Sequence, residues 1–328
     1  RIVSIQNSHT DVRFGPFEDY EGLGENNWTL LVQATDFWNS NCAELVKPFR
    51  FIPNWRIDDL MVSFSLPNGG VGPHLDQYDV FIIQGKGKRR WQVGRAEAGE
   101  TLHPHPLLSQ VEAFEPIIDA VLECGDVLYI PPGFAHCGET LEDCLNYSVG
   151  FRAPDQKTLL SSFADFVLDV QGFGQRYQDP DLSLRPFSAE VSRNEIQALK
   201  ALMQQTLQDE SFEHWLGCFL SEADDQASPQ RCVTPQQAAA CLQSGQPIIR
   251  SLACKGVWLE NTGQQSLITL YLGELRIPFD PALKPYVEQL LKQPYWCYDN
   301  SAGDDLFSPL AELVSQLLNS GMWSLSRD

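Results

Sequence analysis

A change of apolar period near Pro154 limits the fold more than any other feature of this sequence. Before it, short alternating runs bounded by Gly, Pro and Asn recur at residues 61–66 (MVSFSL), 78–83 (YDVFII), 89–93 (RRWQV), 126–130 (DVLYI) and 146–151 (NYSVGF). Alternation at period two between turn residues predicts strands, so residues 1–155 read as a sheet-rich barrel. After it, Leu159, Phe163, Phe166 and Val167 fall near one side of a helix over residues 158–169, and residues 192–207 and 211–220 also read as helices. A helical segment over 156–222 therefore follows the barrel. The polar, acidic, aperiodic stretch 221–230 is the linker expected before a third unit, 231–328. That unit reads as a helix (234–242), strands (248–253, 256–260, 266–272) and two helices (283–292, 306–318), an α+β layout similar to a winged helix.

A chain of 328 residues is longer than one ordinary domain. No apolar run approaches the roughly 20 residues of a membrane-spanning helix, and 43% hydrophobic with 11% aromatic residues is a globular composition. A soluble protein without membrane attachment is expected. The chain opens on Arg1 rather than Met, so an upstream N-terminal portion stays open. The nine cysteines are scattered and never form a C-x-x-C pair, which argues against a zinc ribbon or disulfide framework and for reduced thiols in the cytoplasm. The net charge of −20 disfavours a phosphate backbone and suits a basic protein partner, although solubility alone would explain it. Direct DNA binding by the third unit is not expected, because Glu260, Glu274, Asp280, Glu288, Asp299, Asp304, Asp305 and Glu312 would repel phosphates.

In Gly70-Val-Gly-Pro-His-Leu-Asp76, a histidine and a carboxylate stand at i and i+2. On a strand that spacing puts both side chains on one face, about 6.7 Å apart along the chain. About fifty residues on, Gly125-Asp-Val-Leu-Tyr-Ile-Pro-Pro-Gly-Phe-Ala-His136 combines an apolar strand, a Pro-Pro-Gly turn and a histidine opening the next strand. H-x-D alone occurs by chance. Coupled to the second element within a β domain, it makes His74, Asp76 and His136 a candidate metal triad. Two imidazoles and one carboxylate on one side of an ion leave positions open for a cosubstrate and dioxygen, as in iron(II) oxygenases. His103 and His105 flank Pro104 in an expected loop and read as surface residues, while His9 and His214 read as structural.

Three cations, Lys88, Arg89 and Arg90, follow the Gly85-Lys-Gly87 turn. Arg89, Trp91 and Val93 share one strand face, and the face carrying Trp and Val is expected inside. Arg89 then points inward as a charge that needs an anion, such as the distal carboxylate of 2-oxoglutarate. A register slipped by one would make all three a solvated basic turn. Ser63 with Ser65, and Asn146 with Ser148, are polar pairs that either line the same pocket or face solvent.

With these residues assembled, the sequence resembles the JmjC-type 2-oxoglutarate oxygenases, and among them the bacterial ribosomal oxygenases. The carrying motifs are WRIDDLMVSFS, GPHLDQYDVFIIQG, RRWQVG, LYIPPGFAH and NYSVGFRAP, between Phe51 and Pro154. The resemblance implies a double-stranded β-helix (jelly-roll, cupin-like) barrel, then a helical dimerisation segment and a winged-helix-like C-terminal domain. It implies Fe(II) on His74, Asp76 and His136, 2-oxoglutarate on Arg89 with Ser63 and Asn146 as lesser contacts, and dioxygen as co-substrate. The implied reaction hydroxylates the β-carbon of an arginine in large-subunit ribosomal protein number sixteen, by a cytoplasmic homodimer. Histidine hydroxylation, N-methyl-lysine demethylation and a non-catalytic metal-binding scaffold are the alternatives.

Overall fold

The computed structural model describes residues 1–6, 9–96, 110–170, 172–180, 183–184, 187–222, 232–259, 267–300 and 303–326. His103, His105 and most of the expected linker lie outside these residues. The chain divides into two compact units, Arg1–Ala153 with Ser251–Ala253, and Pro154–Arg250 with Cys254–Asp328.

Among its described residues the first unit holds ten strands: β1 (Ile2–Gln6), β2 (His9–Arg13), β3 (Trp28–Val32), β4 (Ile57–Ser65), β5 (Val80–Lys86), β6 (Arg89–Ala96), β7 (Ile118–Leu122), β8 (Val127–Ile130), β9 (Phe134–Thr140) and β10 (Cys144–Phe151). One short helix, α1 (Ser40–Val46), precedes β4 and is capped by the Asn39 side chain. The strands form a seven-stranded sheet in the order β2-β1-β3-β4-β10-β5-β8 and a three-stranded sheet in the order β7-β6-β9, all pairs antiparallel. Two connections carry the chain from the large sheet to the small one. Between β5 and β6 stands Gly87 at φ +67°, where an added Cβ would collide with the Asp143 carbonyl. Between β8 and β9 stands the Pro-Pro-Gly turn, with Gly133 at φ +76°.

The two sheets are the walls of a barrel. Val80, Ile82 and Ile130 from one wall pack against Trp91 and Val93 from the other. A second cluster, Val46, Phe49, Ile57, Leu60, Val149 and Phe151, seats α1 and the segment after it on the large sheet. All five strands read from alternation form, as does the one expected after the Pro-Pro-Gly turn, β9, which begins two residues before His136. β1 to β3 and β7 were not anticipated; β7 is largely exposed on both faces, so its apolar residues carry no alternation.

The second unit begins with α2 (Gln156–Asp169), α3 (Arg193–Leu207) and α4 (Ser211–Ser221). Asp155 caps α2 through the Thr158 amide, and Ser192 with Glu195 closes a capping box on α3. The apolar side of α2 meets α4 through Phe163, whose ring lies 5.0 Å from that of Trp215. There follow α5 (Pro235–Ser244), β11 (Ile248–Arg250), β12 (Val257–Trp258), β13 (Ile268–Leu272), β14 (Leu275–Phe279), α6 (Lys284–Lys292), β15 (Tyr295–Trp296), α7 (Asp304–Asn319) and β16 (Trp323–Leu325). They make two three-stranded sheets, β15-β11-β16 and β12-β13-β14, and one core containing Leu270, Ile277, Leu283, Leu290, Leu310 and Val314.

Candidate active site

His74 does not lie within a strand, as the i, i+2 argument assumed. It is a single bridge residue that pairs with His136 on β9, and Asp76 follows in irregular chain. The His74 amide donates to the His136 carbonyl at 3.0 Å and the His136 amide to the His74 carbonyl at 2.8 Å. That reciprocal pair sets the two imidazoles side by side, ring centroids 4.2 Å apart. The Gly133 amide of the Pro-Pro-Gly turn donates to the Asp76 carbonyl at 2.7 Å, so the same turn that starts β9 also holds the aspartate. Asp76 Oδ2 then lies 3.6 Å from His136 Nε2.

Each histidine Nδ1 sits 2.9 Å from a backbone carbonyl, that of Gly72 for His74 and that of Phe134 for His136. A carbonyl only accepts, so both Nδ1 atoms carry the proton and both Nε2 lone pairs are free for a cation. The ligand atoms of His74, Asp76 and His136 all lie within 4.8 Å of one another, the one such donor set among the described residues. Burial, and then the neighbouring His74, pull the His136 imidazole down to about 4, against an opposing pull from the Phe134 carbonyl and Asp76. His136 is therefore neutral at physiological pH, the form that binds a metal. The Tyr78 phenol lines the same cavity as Asp76, and burial first and the Asp76 carboxylate second hold it above the ordinary tyrosine range.

The triad opens on a cavity of about 450 Å³ lined from both walls, with Arg89 in it as well. Parity on β6 places Arg89, Trp91 and Val93 inside and Arg90 outside. Arg89 is 3% exposed. Its Nη1 donates to Ser63 Oγ at 3.4 Å and Asn146 Oδ1 at 3.2 Å, its Nη2 to the Gly138 carbonyl at 3.2 Å, and its guanidinium lies 4.9 Å from the Trp91 ring centre. All these partners are neutral, and burial draws the guanidinium below its ordinary value. Arg89 Nε and Trp91 Nε1 are buried without a hydrogen-bond partner among the described residues. A buried cation with only neutral partners, next to a second orphaned donor, has the chemistry to accept a carboxylate. The other two cations of the turn are paired outside, Lys88 with Glu123 and Arg90 with Asp119, each at 2.6 Å.

Ser63, Asn146 and Ser148 line the cavity; Ser65 does not, and instead accepts a hydrogen bond from Thr29 at 2.9 Å. Sequence reasoning missed Gln84, Gly138, Asp59 and Tyr78. Gln84 shares the inward parity of Val80 and Ile82, which was the available signal.

A family model described as JmjC domain matches residues 44–159. The chain is 44% identical to the ribosomal protein uL16 3-hydroxylase of Escherichia coli (strain K12), over 98% of this chain and 85% of that protein. It belongs to the JmjC-domain ribosomal oxygenases. Of solved structures in that family, the X-ray structure of E. coli ycfD superposes with a TM-score of 0.88 at 43% identity, covering 99% of this chain and 86% of that one. The E. coli ribosomal oxygenase YcfD in complex with cobalt and 2-oxoglutarate superposes with a TM-score of 0.84 at 42% identity, over 99% and 86% of the two chains. The donor set suits the groups in that complex: nitrogen and oxygen ligands for a divalent transition metal, and an uncompensated guanidinium for a dicarboxylate.

Proposed function

We propose that this chain is an Fe(II)- and 2-oxoglutarate-dependent protein hydroxylase that oxidises the β-carbon of an arginine in ribosomal protein uL16. The observation that carries the reading is the shared cavity: a His74, Asp76 and His136 donor set and the inward Arg89 guanidinium line one barrel interior. In this reading the three ligands hold iron, and Arg89, steadied by Ser63 and Asn146, takes the distal carboxylate of 2-oxoglutarate. Iron with bound 2-oxoglutarate supplies the oxidising power to insert one atom of dioxygen into an unactivated C–H bond, the other entering succinate as carbon dioxide leaves. The protein's own work is positional. The two backbone-tethered imidazoles keep their Nε2 atoms on one ion, the Gly133 amide restrains the backbone that carries Asp76, and the apolar residues Val80, Ile82 and Trp91 keep bulk water from the reacting carbon.

Alternation along β4 supports an arginine as substrate. Ser63, Met61 and Asp59 line the cavity from the same strand face, so a carboxylate stands about 13 Å along the strand from the Arg89 partner Ser63. Tyr78 lines the same cavity, and both Asp76 and Asp59 push its phenol up. Asp59 would receive the guanidinium while the β-carbon faces the triad, and the net charge of −20 favours the approach of a basic ribosomal segment.

In the same reading the molecule is a cytoplasmic homodimer whose two-fold contact uses α2 and α3, where Leu160, Leu168, Leu199, Met203 and Leu207 are exposed. The region after α4 serves as a winged-helix-like domain that does not bind DNA. No helix of the described residues is long and apolar enough to cross a membrane.

The test is incubation with iron, 2-oxoglutarate and peptides from uL16, reading succinate release and the site of oxygen addition by mass spectrometry. Oxygen on an arginine β-carbon is the expected result. Oxygen on a histidine, loss of methyl from a lysine, or no turnover despite bound iron would each refute the reading.

A further inference from the structure

We propose that Gln84 is a positioning residue for 2-oxoglutarate, acting on Arg89 through Asn146. The inference rests on the reading of Arg89 as the carboxylate-binding cation.

Gln84 is fully buried on the inward face of β5. Its Nε2 donates to the Lys86 carbonyl at 2.8 Å and to the Gly87 carbonyl at 3.2 Å. Two carbonyls can only accept, so the nitrogen end of this amide has one possible orientation. Its Oε1 is thereby turned to Asn146, whose Nδ2 donates to it. With Nδ2 committed, Asn146 presents Oδ1 to the guanidinium, and Arg89 Nη1 donates there at 3.2 Å. Arginine only donates. Both ends of the chain are chemically unambiguous, so the polarity of each amide between them is fixed, and Arg89 meets an oxygen rather than an amide nitrogen.

The device holds a buried cation without neutralising it. No carboxylate among the described residues bonds to Arg89, so its whole charge remains for the incoming dicarboxylate. An acid at position 84 would do two kinds of harm. It would face two carbonyls with no hydrogen to give, and it would put negative charge one residue away from the carboxylate cradle. A side chain with no polar atoms at position 84 would free Asn146 to turn its NH2 toward the guanidinium, which then loses an acceptor.

Calorimetric titration of 2-oxoglutarate into Mn(II)-loaded protein reads the effect without turnover. Gln84→Met is expected to weaken 2-oxoglutarate by about tenfold with Mn(II) affinity unchanged, and Gln84→Glu by more. In an Asn146→Ala background, Gln84→Met should add less than about a twofold change, because its route to Arg89 is already cut. In turnover the loss appears in the KM for 2-oxoglutarate rather than in kcat. Thermal melting of each variant verifies folding, and Gln84→Glu, close in size to the native side chain, carries the same comparison should the methionine variant not fold. Equal losses in both backgrounds, unchanged affinity in either variant, or a parallel loss of Mn(II) would overturn the proposal. Arg89→Ala separates the two failures. If it too leaves 2-oxoglutarate binding intact, the reading of Arg89 is wrong; if it weakens binding and Gln84→Met does not, only the role of Gln84 falls.

Discussion

Gly138 is the place where a single methyl group tests the carboxylate cradle. It lies on β9 opposite Trp91, and a Cβ built there would stand 2.6 Å from Arg89 Nε and 3.0 Å from the Trp91 ring edge. Ordinary contact begins at 3.4 Å, so the guanidinium must retreat by about 0.8 Å. It has no slack for that movement. Its three hydrogen bonds already span 3.2 to 3.4 Å, the long end of the useful range, and one of them goes to the Gly138 carbonyl itself. Overpacking of this kind costs about 1–3 kcal/mol of stability, and a misplacement approaching 1 Å in a binding group costs roughly ten- to a hundredfold in affinity. Gly138→Ala is therefore expected to melt several degrees lower and to bind 2-oxoglutarate at least about tenfold more weakly in calorimetry. Metal affinity should hold, because the His74 and His136 backbone pair is untouched. In an Arg89→Ala background the methyl should cost clearly less stability, since the atom it strikes is gone. An unchanged melting temperature and affinity, or the same stability loss with and without Arg89, would show that the guanidinium does not rest against Gly138.

His136→Ala should abolish stoichiometric iron or manganese binding in a metal titration, because a carboxylate and one imidazole remain. Arg89→Ala should raise the 2-oxoglutarate requirement at least about tenfold while Arg90→Ala leaves it within about twofold; the reverse order would mean the β6 register is wrong. Combined Leu168→Glu and Met203→Glu should convert a dimer to a monomer in light scattering, and a wild-type monomer would refute the two-fold contact on α2 and α3. Leu310→Ala, in the middle of the second unit's core, should lower stability by about 2–5 kcal/mol in denaturant unfolding; a smaller loss would mean that core repacks around the gap.

Strand parity proved the most informative signal in the sequence. One rule, that Trp91 and Val93 mark the inner face of β6, placed Arg89 inside and Arg90 outside, and the burial pattern follows it. Parity worked because that strand is buried on one face only. It did not work for His74 and Asp76, which lie where the chain is irregular. They come together because His74 pairs with His136 and the Gly133 amide restrains Asp76, contacts between segments distant in sequence that no local period encodes. Ser65 and Ser63 look equivalent in the sequence, yet Thr29 on the unanticipated strand β3 claims Ser65 and leaves Ser63 to Arg89. Gln84 was legible as a polar residue at an inward position, but its meaning depends on the Lys86 and Gly87 carbonyls, which a turn conformation alone brings into reach.

The reciprocal amide bonds between His74 and His136 also bear on how the protein is made. A chain still being synthesised, with β9 not yet released, offers an incoming ion one imidazole and one carboxylate on an unfixed loop, a pair too weak to retain it. The complete ligand set appears only when β9 closes onto the segment carrying His74. If the triad holds iron as proposed, retention of the ion is thereby tied to closure of the barrel.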